Sequence, residues 1–437
     1  MSIIKKLKSS FLQDNNSKQI SLNLIGLRIF QGGVLFLAAA PVIAFFLLII
    51  SSILGGLNRK ENYFEDKYNL IFIVVSTLMI MNCVLITLSN RNTYTSEISS
   101  IWIGLSNWLP FFWCFWGFQP FLKSNKLRIQ TSKFLIFGSI PVLISGFCQY
   151  FLKMYGPYEF FNNLIVWYQR PLGTDNAVTG IFNNQNYAGA WLCIILPLSI
   201  VFLIKRNRIN AIRSLVFLNS LSFIYMIVLT SSRGAILSIF TSIFLFTKSI
   251  KNKVYVLISL FSIPIILNLI PRLALNIQSI IYTFLPFELI KKASLIKLSS
   301  SEIFPRIEIW SKSFELIKSN LISGYGAGSF KNLYAISNGS FGNIQHSHNI
   351  FLEIAINHGL PSSLIIFLMM IFITIKCWRK NANVNFIKSE SLEIGINNFD
   401  KAWVISFITF FLIHMEVGFG TVTMVQVLQK PHQIFQA

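Results

Sequence analysis

Apolar runs long enough to cross a lipid bilayer recur along almost the whole chain. A helix of about 20 residues spans a hydrocarbon core of about 30 Å, and runs of about this length lie at 70–88, 100–121, 134–152, 187–204, 213–230, 234–248, 254–270, 360–377 and 402–414. Only 12% of the residues are charged and 54% are hydrophobic, which excludes an ordinary soluble domain. Because every backbone polar group in lipid needs a partner, the runs predict an all-α, polytopic membrane helix bundle.

The first apolar stretch, 22–57, is too long for one crossing, since its 36 residues would extend about 54 Å as a helix. Pro41 lies near its middle, where it would end one helix and begin another. We therefore expect two short helices there and about 11–12 transmembrane helices in all.

Lys and Arg are concentrated in short connectors between the apolar runs, which predicts that these connectors are cytoplasmic: 123–133, 205–208, 248–253 and 376–380. The segments 153–186 and 271–347 then lie outside. We thus expect N-terminal transmembrane helices in 1–152, central helices with an external loop in 153–270, a long, partly helical periplasmic loop in 271–347 and C-terminal helices in 348–437. The loop 271–347 carries a net positive charge, which the orientation of the helices does not explain and which suggests a functional role for that charge.

Apolar residues recur at helical spacing within 271–347, at Ile307, Trp310, Phe314, Ile317 and Leu321. This pattern predicts an amphipathic helix that ends near Gly324 and packs against the bundle or lies on the membrane surface. The segment Gly324-Tyr325-Gly326-Ala327-Gly328 lacks the spacing of a nucleotide-binding loop and is interpreted as a turn.

Ser231-Ser232-Arg233-Gly234 separates two apolar runs and places an arginine in a tight external hairpin. A charged residue beside hydrocarbon is costly unless it faces a cavity or a partner, so we assign Arg233 to the functional site. The alternative is an arginine that extends its charge to the lipid headgroups.

His346-Ser347-His348-Asn349 precedes an apolar segment, and Ser347 or Asn349 is expected to cap a helix there. The positive end of a helix dipole favours a neutral imidazole, which can accept a proton. This suggests His348 as a general base, and a purely structural histidine is the alternative.

The segment from Gln169 to Asn186 carries Arg170 and several amides directly before the run at 187. Arginine and amide side chains bind phosphates and sugar hydroxyls, although a polar loop with helix-capping asparagines would have the same composition. The external segments contain no DxD, HExxH or GxSxG motif, and the five cysteines are scattered singly, so we expect neither a metal nor another cofactor.

Four motifs in this order resemble the O-antigen ligase and O-antigen polymerase superfamily of bacterial inner-membrane glycosyltransferases. They are Gly180-Ile181-Phe182-Asn183-Asn184-Gln185-Asn186; Ser232-Arg233-Gly234-Ala235-Ile236-Leu237; Arg306 with Trp310, followed by Gly324 to Phe330; and His348-Asn349, nine residues and Gly359. Ser362, at the third position after Gly359, and the pair Asn357-His358 depart from the ligase pattern.

The resemblance implies an inverting, metal-independent transfer of a glycan from undecaprenyl pyrophosphate to an acceptor sugar, such as lipid A-core, at the periplasmic face of the inner membrane. His348, Arg233 and Arg306 would be catalytic. Substrate would be bound by Arg170, Asn186, Asn349 and Trp310. The partners would be the lipid-linked donor, the glycan acceptor and membrane lipids, with no nucleic acid.

Two other activities use the same motifs, namely O-antigen polymerisation and protein O-oligosaccharide transfer. A transporter of bicarbonate or another small anion is an alternative of a different class, since relatives in the superfamily have been named as such. The sequence shows neither an internal repeat nor paired Gly- or Pro-interrupted helices, which many transporters have.

Overall fold

The computed structural model describes a helical protein with one small β-hairpin. The residues described are 22–57, 59, 62–89, 98–173, 177–204, 211–270, 273, 275–285, 304–337, 339, 344–384 and 391–417. The expected connector 205–208 lies outside these residues, as does the middle of the expected external loop, 286–303.

The N-terminal part is a series of mostly short helices: α1 (Leu22–Phe36), α2 (Pro41–Leu57), α3 (Lys67–Leu88), α4 (Ile98–Leu105), α5 (Leu109–Gly117), α6 (Gln119–Leu122), α7 (Asn125–Gly138) and α8 (Ile140–Phe151). A 3-10 turn, Tyr63–Glu65, precedes α3. The strands β1 (Tyr158–Phe160) and β2 (Ile165–Trp167) pair in antiparallel register, with Tyr158 opposite Trp167.

Longer helices predominate in the rest of the chain: α9 (Gln185–Ile204), α10 (Ala211–Leu229), α11 (Arg233–Phe246), α12 (Ile250–Leu269), α13 (Leu275–Phe284), α14 (Phe304–Ser319), α15 (Phe330–Ile336), α16 (Ile350–His358), α17 (Leu360–Val384) and α18 (Ser391–Val417). The all-α class is confirmed, and the stretch 22–57 divides into two helices as expected, with Pro41 at the first position of the second.

Four segments of the described chain are long and apolar enough to cross a membrane: Lys67–Leu88, Asn125–Phe151, Gln185–Leu203 and Leu360–Arg379. Shorter apolar helices accompany them: Leu22–Phe36, Pro41–Leu57, Ser214–Leu229 and Arg233–Phe246. These helices are those of a multi-pass membrane protein. The total of 11–12 transmembrane helices stays a prediction.

The single helix expected over 100–121 is wrong, because the structure divides this stretch among α4, α5 and α6. Pro110 and Pro120 lie in the first turns of α5 and α6. A proline has no N–H to donate and disfavours helical geometry in the residue before it, so each proline begins a new helix. Helix α7 also begins at Asn125, inside the polar connector expected over 123–133.

Helix α9 is the centre of the bundle and packs against α7, α10, α11 and α18. Leu192, Cys193 and Leu196 on α9 are fully buried. The Thr409 hydroxyl of α18 donates to the Cys193 carbonyl at 3.2 Å. Arg128 of α7 binds both oxygens of Asp400 on α18, at 2.6 Å and 2.9 Å. Helix α18 is thus fastened to both α7 and α9.

A second packing unit forms where α16 folds back along α17, with Gly359 alone between them. The Ser363 hydroxyl donates to the Phe351 carbonyl at 2.7 Å, and the rings of Phe351 and Phe367 lie 5.3 Å apart. Gly359 has a φ of 83°, and a Cβ at this position would lie 1.9 Å from the Ile322 carbonyl oxygen. The hairpin therefore requires glycine.

The last carbonyls of α16 are all hydrogen-bonded although they are buried. Ala355 accepts from Gly359 N, Ile356 from Tyr325 N, Asn357 from Gly326 N, and His358 from the Asn82 amide of α3, over distances of 2.7 to 3.1 Å. The glycine-rich segment, predicted as a turn, is therefore the C-terminal cap of α16.

We predict that Gly359→Ala destabilises the protein by more than about 2 kcal/mol, because alanine disfavours a positive φ and its Cβ would clash with the Ile322 carbonyl. Thermal unfolding in detergent measures the effect. Gly32→Ala is the matched control, since the nearest atom that its Cβ would meet is Leu47 Cδ1 at 3.7 Å. Equal unfolding temperatures for the two variants would contradict this account of the hairpin.

Candidate functional site

The segment 346–349 forms a structured turn at the N-terminus of α16. The Asn349 side chain accepts hydrogen bonds from Phe351 N at 3.0 Å and Leu352 N at 3.2 Å, so Asn349 is the helix cap. The Ser347 hydroxyl donates instead to the Asn349 carbonyl at 3.0 Å. Of the two capping residues expected from sequence, the structure selects Asn349.

His348 has a left-handed backbone conformation, with φ at 53°. Such conformations are uncommon for residues other than glycine and are found mainly where the surroundings enforce them, often at functional sites. The ring of His348 lies 4.1 Å from that of His346, and the His348 N–H donates to His346 Nδ1 at 3.3 Å. The backbone of His348 is thereby held by its own loop, and its half-buried imidazole lies against the His346 ring.

Burial, together with the neighbouring His348, lowers the pKa of His346 to about 4. The neutral form is also required by the hydrogen bond, because a protonated Nδ1 cannot accept from the His348 N–H. The turn is therefore built around an uncharged His346 at neutral pH.

Glu353 is a site residue that the sequence interpretation missed. Its carboxylate, in the first turn of α16, accepts from Ser347 N at 2.9 Å and from the Asn357 amide at 3.1 Å, and the side chain is buried. Burial raises the pKa of Glu353, whereas the bonds from Ser347 and Asn357 lower it. An acidic residue within an otherwise apolar helix was the available signal.

Arg233 is the first residue of α11 and is exposed, directly after a strained turn. Ser231 has a φ of 52° and is buried, and no hydrogen bond to its hydroxyl is found among the described residues. Helix α9 closes tightly on this turn, since a Cβ on Gly189 would lie 2.8 Å from Ala235 Cβ. The backbone carrying Arg233 is therefore firmly supported.

Arg170 and Asn186 lie on the α9 side of the bundle. The Gln149 side chain anchors their segment, donating to the Arg170 carbonyl at 2.6 Å and accepting from Thr179 N at 3.0 Å. Val178 N donates to the Leu229 carbonyl at the end of α10, close in sequence to Arg233. The exposed side chain of Arg170 is thus part of a segment that contacts the end of α10.

Arg306 and Trp310 lie on α14, which packs against α16. The predicted helix is confirmed, although it ends at Ser319 rather than near Gly324. Of the predicted stripe, Trp310 and Ile317 pack inward. Ile309 and Ile317 pack with Leu352 and Ile356 of α16. Three of the predicted stripe residues are exposed instead, with exposed fractions of 55%, 52% and 46% for Ile307, Phe314 and Leu321.

The candidate residues form two groups. Arg306, Trp310, His348 and Asn349 belong to the packed helices α14 and α16 and the turn that begins α16. Arg170 lies in the segment before α9, Asn186 at the start of α9 and Arg233 at the start of α11, and the segment before α9 contacts the end of α10. Helix α18 packs against α9 and α11 on one side and against α16 and α17 on another. In the described part of the chain, no three side chains of the metal-binding types come together.

Comparison with known families identifies the region that holds most of these residues. The model of a family described as O-antigen ligase matches residues 218–368. Residues 218–368 therefore resemble an O-antigen ligase domain, which supports a place in the O-antigen ligase and polymerase superfamily. The match supports an activity of the ligase or polymerase type in the broad sense. The matched domain contains Arg233, Arg306, Trp310, His348 and Asn349, whereas Arg170 and Asn186 precede it. No curated protein matches the chain.

We predict that Glu353→Leu loosens the turn at 346–349 in this O-antigen ligase domain. Leucine fills a similar volume but leaves Ser347 N and the Asn357 amide without their buried acceptor, which costs about 1–3 kcal/mol for each unpaired group. Hydrogen exchange should be faster at Ser347, while that of α9 stays unchanged. Glu353→Gln retains one acceptor oxygen and should have an intermediate effect.

We also predict that acid destabilises the same turn. The unfolded chain binds a proton at His346 below pH about 6.5, whereas the folded chain does so only below about 4, so stability falls as the pH drops between these values. In His346→Asn, the amide oxygen can still accept from His348 N but does not titrate. The unfolding temperature of wild type should therefore fall more steeply than that of His346→Asn between pH 6.5 and 4, and parallel curves would contradict the assignment.

Proposed function

We propose that the protein transfers a glycan from undecaprenyl pyrophosphate to an acceptor sugar, with lipid A-core as the acceptor, at the periplasmic face of the inner membrane. The observation that carries this proposal is the fixed, left-handed His348 at the start of α16, inside an O-antigen ligase domain that also holds Arg233 and Arg306.

His348 is the proposed general base. The acceptor hydroxyl attacks the anomeric carbon of the donor sugar, the bond from that carbon to the phosphate oxygen breaks, and the hydroxyl proton passes to a neutral imidazole nitrogen of His348. Attack from the face opposite the leaving group inverts the anomeric configuration. The fixed turn reduces the motion that the imidazole needs in order to meet the hydroxyl.

Arg233 and Arg306 are the proposed partners of the leaving pyrophosphate. The electron pair of the broken bond stays on this group, and guanidinium groups bind phosphate oxygens through paired, charge-assisted hydrogen bonds. Positive charge fixed where negative charge develops lowers the barrier, which supports transfer without a metal. Arg170 would bind the same pyrophosphate from the α9 side.

Trp310 and Asn186 are the proposed sugar-binding residues. The indole N–H of Trp310 is buried, and no acceptor for it is found among the described residues, so a sugar hydroxyl that reached it would supply the missing acceptor. Asn186 lies in the first turn of α9, where the Asn184 side chain accepts from its backbone N–H at 2.7 Å. The side chain of Asn349 caps α16 and would contribute by positioning His348.

We predict that His348→Asn lowers the rate of glycan transfer by about 10²–10⁴, the usual contribution of a general base. Asparagine tolerates the left-handed backbone, so the variant should fold, and an unchanged unfolding temperature verifies this. Purified protein, a lipid-linked glycan donor and a lipid A-core acceptor provide the assay. Full activity in a correctly folded His348→Asn variant would exclude His348 as the base.

We predict that Arg233→Ala lowers transfer by about 10²–10³ and that Arg233→Lys recovers part of the activity, since lysine retains the charge without the bidentate geometry. Arg379→Ala, at an exposed position on α17, is the matched control.

In the host, deletion of the gene should abolish attachment of O-chains to lipid A-core on a lipopolysaccharide gel. Altered chain length with intact attachment would indicate a polymerase instead.

A further inference from the structure

An apolar groove lies between α3 and α17, outside the residues assigned to glycan transfer. Its volume is about 540 Å³, and Ile71, Ile365, Leu368, Met369 and Phe372 line it. This volume is within the range of about 300–1,000 Å³ that is common for small-molecule sites. Leu368 and Phe372 are 60% and 59% exposed, so the groove opens outward.

In a membrane, the groove would face lipid rather than water over most of its length. Both of its walls belong to helices that are long and apolar enough to cross a membrane, Lys67–Leu88 and Leu360–Arg379. An outward-facing apolar cleft at this level meets acyl chains, which are the abundant ligands of matching shape and polarity.

Cationic side chains lie at one end of the groove. Lys67 begins α3, and Lys376 lies near the end of α17. The start of α3 lies beside the end of α17, where the Lys376 ammonium donates to the Tyr68 hydroxyl at 3.1 Å. Both lysines line the same groove. The nearby Asp66 carboxylate is held by Tyr68 N at 2.9 Å and by the Gln119 amide at 3.3 Å, which ties it to the start of α3.

We propose that this groove is a binding site for an anionic glycerophospholipid. One acyl chain lies between α3 and α17, and the phosphate binds Lys67, Lys376 and the Tyr68 hydroxyl. The apolar cleft favours a lipid over a soluble phosphate, and the lysines favour an anionic headgroup over a zwitterionic one. About 24 Å of α17 separates Lys376 from Leu360, where the hairpin with α16 begins, so the headgroup position is remote from that turn.

The test is native mass spectrometry of the full-length protein in neutral detergent with phosphatidylglycerol and phosphatidylethanolamine of equal chain length. We expect one phosphatidylglycerol to bind in preference to phosphatidylethanolamine. A lysine at the membrane surface contributes about fivefold to binding of an anionic lipid, so Lys67→Ala with Lys376→Ala should weaken binding about 25-fold. Leu368→Trp should also weaken it, because the indole fills the cleft while both lysines remain.

Lys123→Ala with Lys126→Ala is the matched control, since these lysines are also exposed but do not line the groove. The control should bind phosphatidylglycerol as wild type does. Glycerol phosphate, which has no acyl chain, should not displace the lipid. Equal binding of the two phospholipids, or an unchanged affinity in the groove lysine variant, would overturn the proposal. Displacement by undecaprenyl phosphate at equal concentration would overturn the assignment to a glycerophospholipid.

Discussion

The C-terminal end of α16 is the constraint on which the rest of the site depends. A helix leaves its last carbonyls without partners, and in apolar surroundings water cannot supply them. Backbone N–H groups of Tyr325, Gly326 and Gly359 and the amide of Asn82 supply them here. Two segments distant in sequence, α3 and the glycine-rich turn, are thereby fixed to one short helix. The positive φ values of Gly326 and Gly359 follow from this close approach.

The same hydrogen bonds also fix the position of the N-terminal end of α16. Because the helix cannot shift along its axis without breaking those bonds, its N-terminus is a stable base for the turn 346–349. Glu353 reaches from inside the helix to Ser347 N, and Asn349 closes the first turn. The imidazole of His348 is therefore positioned by contacts within ten residues of sequence, and these contacts depend on packing much further away.

The helical class, the break at Pro41, the helix of α14 and the cap before α16 could be predicted from sequence, because each depends on local periodicity or on one residue type. The subdivision of 100–121 could not be seen in hydropathy alone, since Pro110 and Pro120 interrupt helices without interrupting the apolar run. The predicted face of α14 was correct at Trp310 and Ile317 but wrong at three other positions. Ile309, outside the predicted stripe, packs against α16, and periodicity carries no information on the partner. Glu353 was missed because its role depends on a folded turn.

The position of α18 has a consequence for the order in which the protein is made. Helix α9 leaves the ribosome soon after the β-hairpin. Thr409, which fastens α18 to α9, is synthesised 216 residues after Cys193, and Asp400 is synthesised 272 residues after Arg128 of α7. Until then, the buried face of α9 lacks one of its main neighbours and must be sheltered by lipid or by the insertion machinery. Long-range closure of this kind slows folding. In the growing chain, the core around α9 is therefore incomplete until α18 has been synthesised and has packed against it.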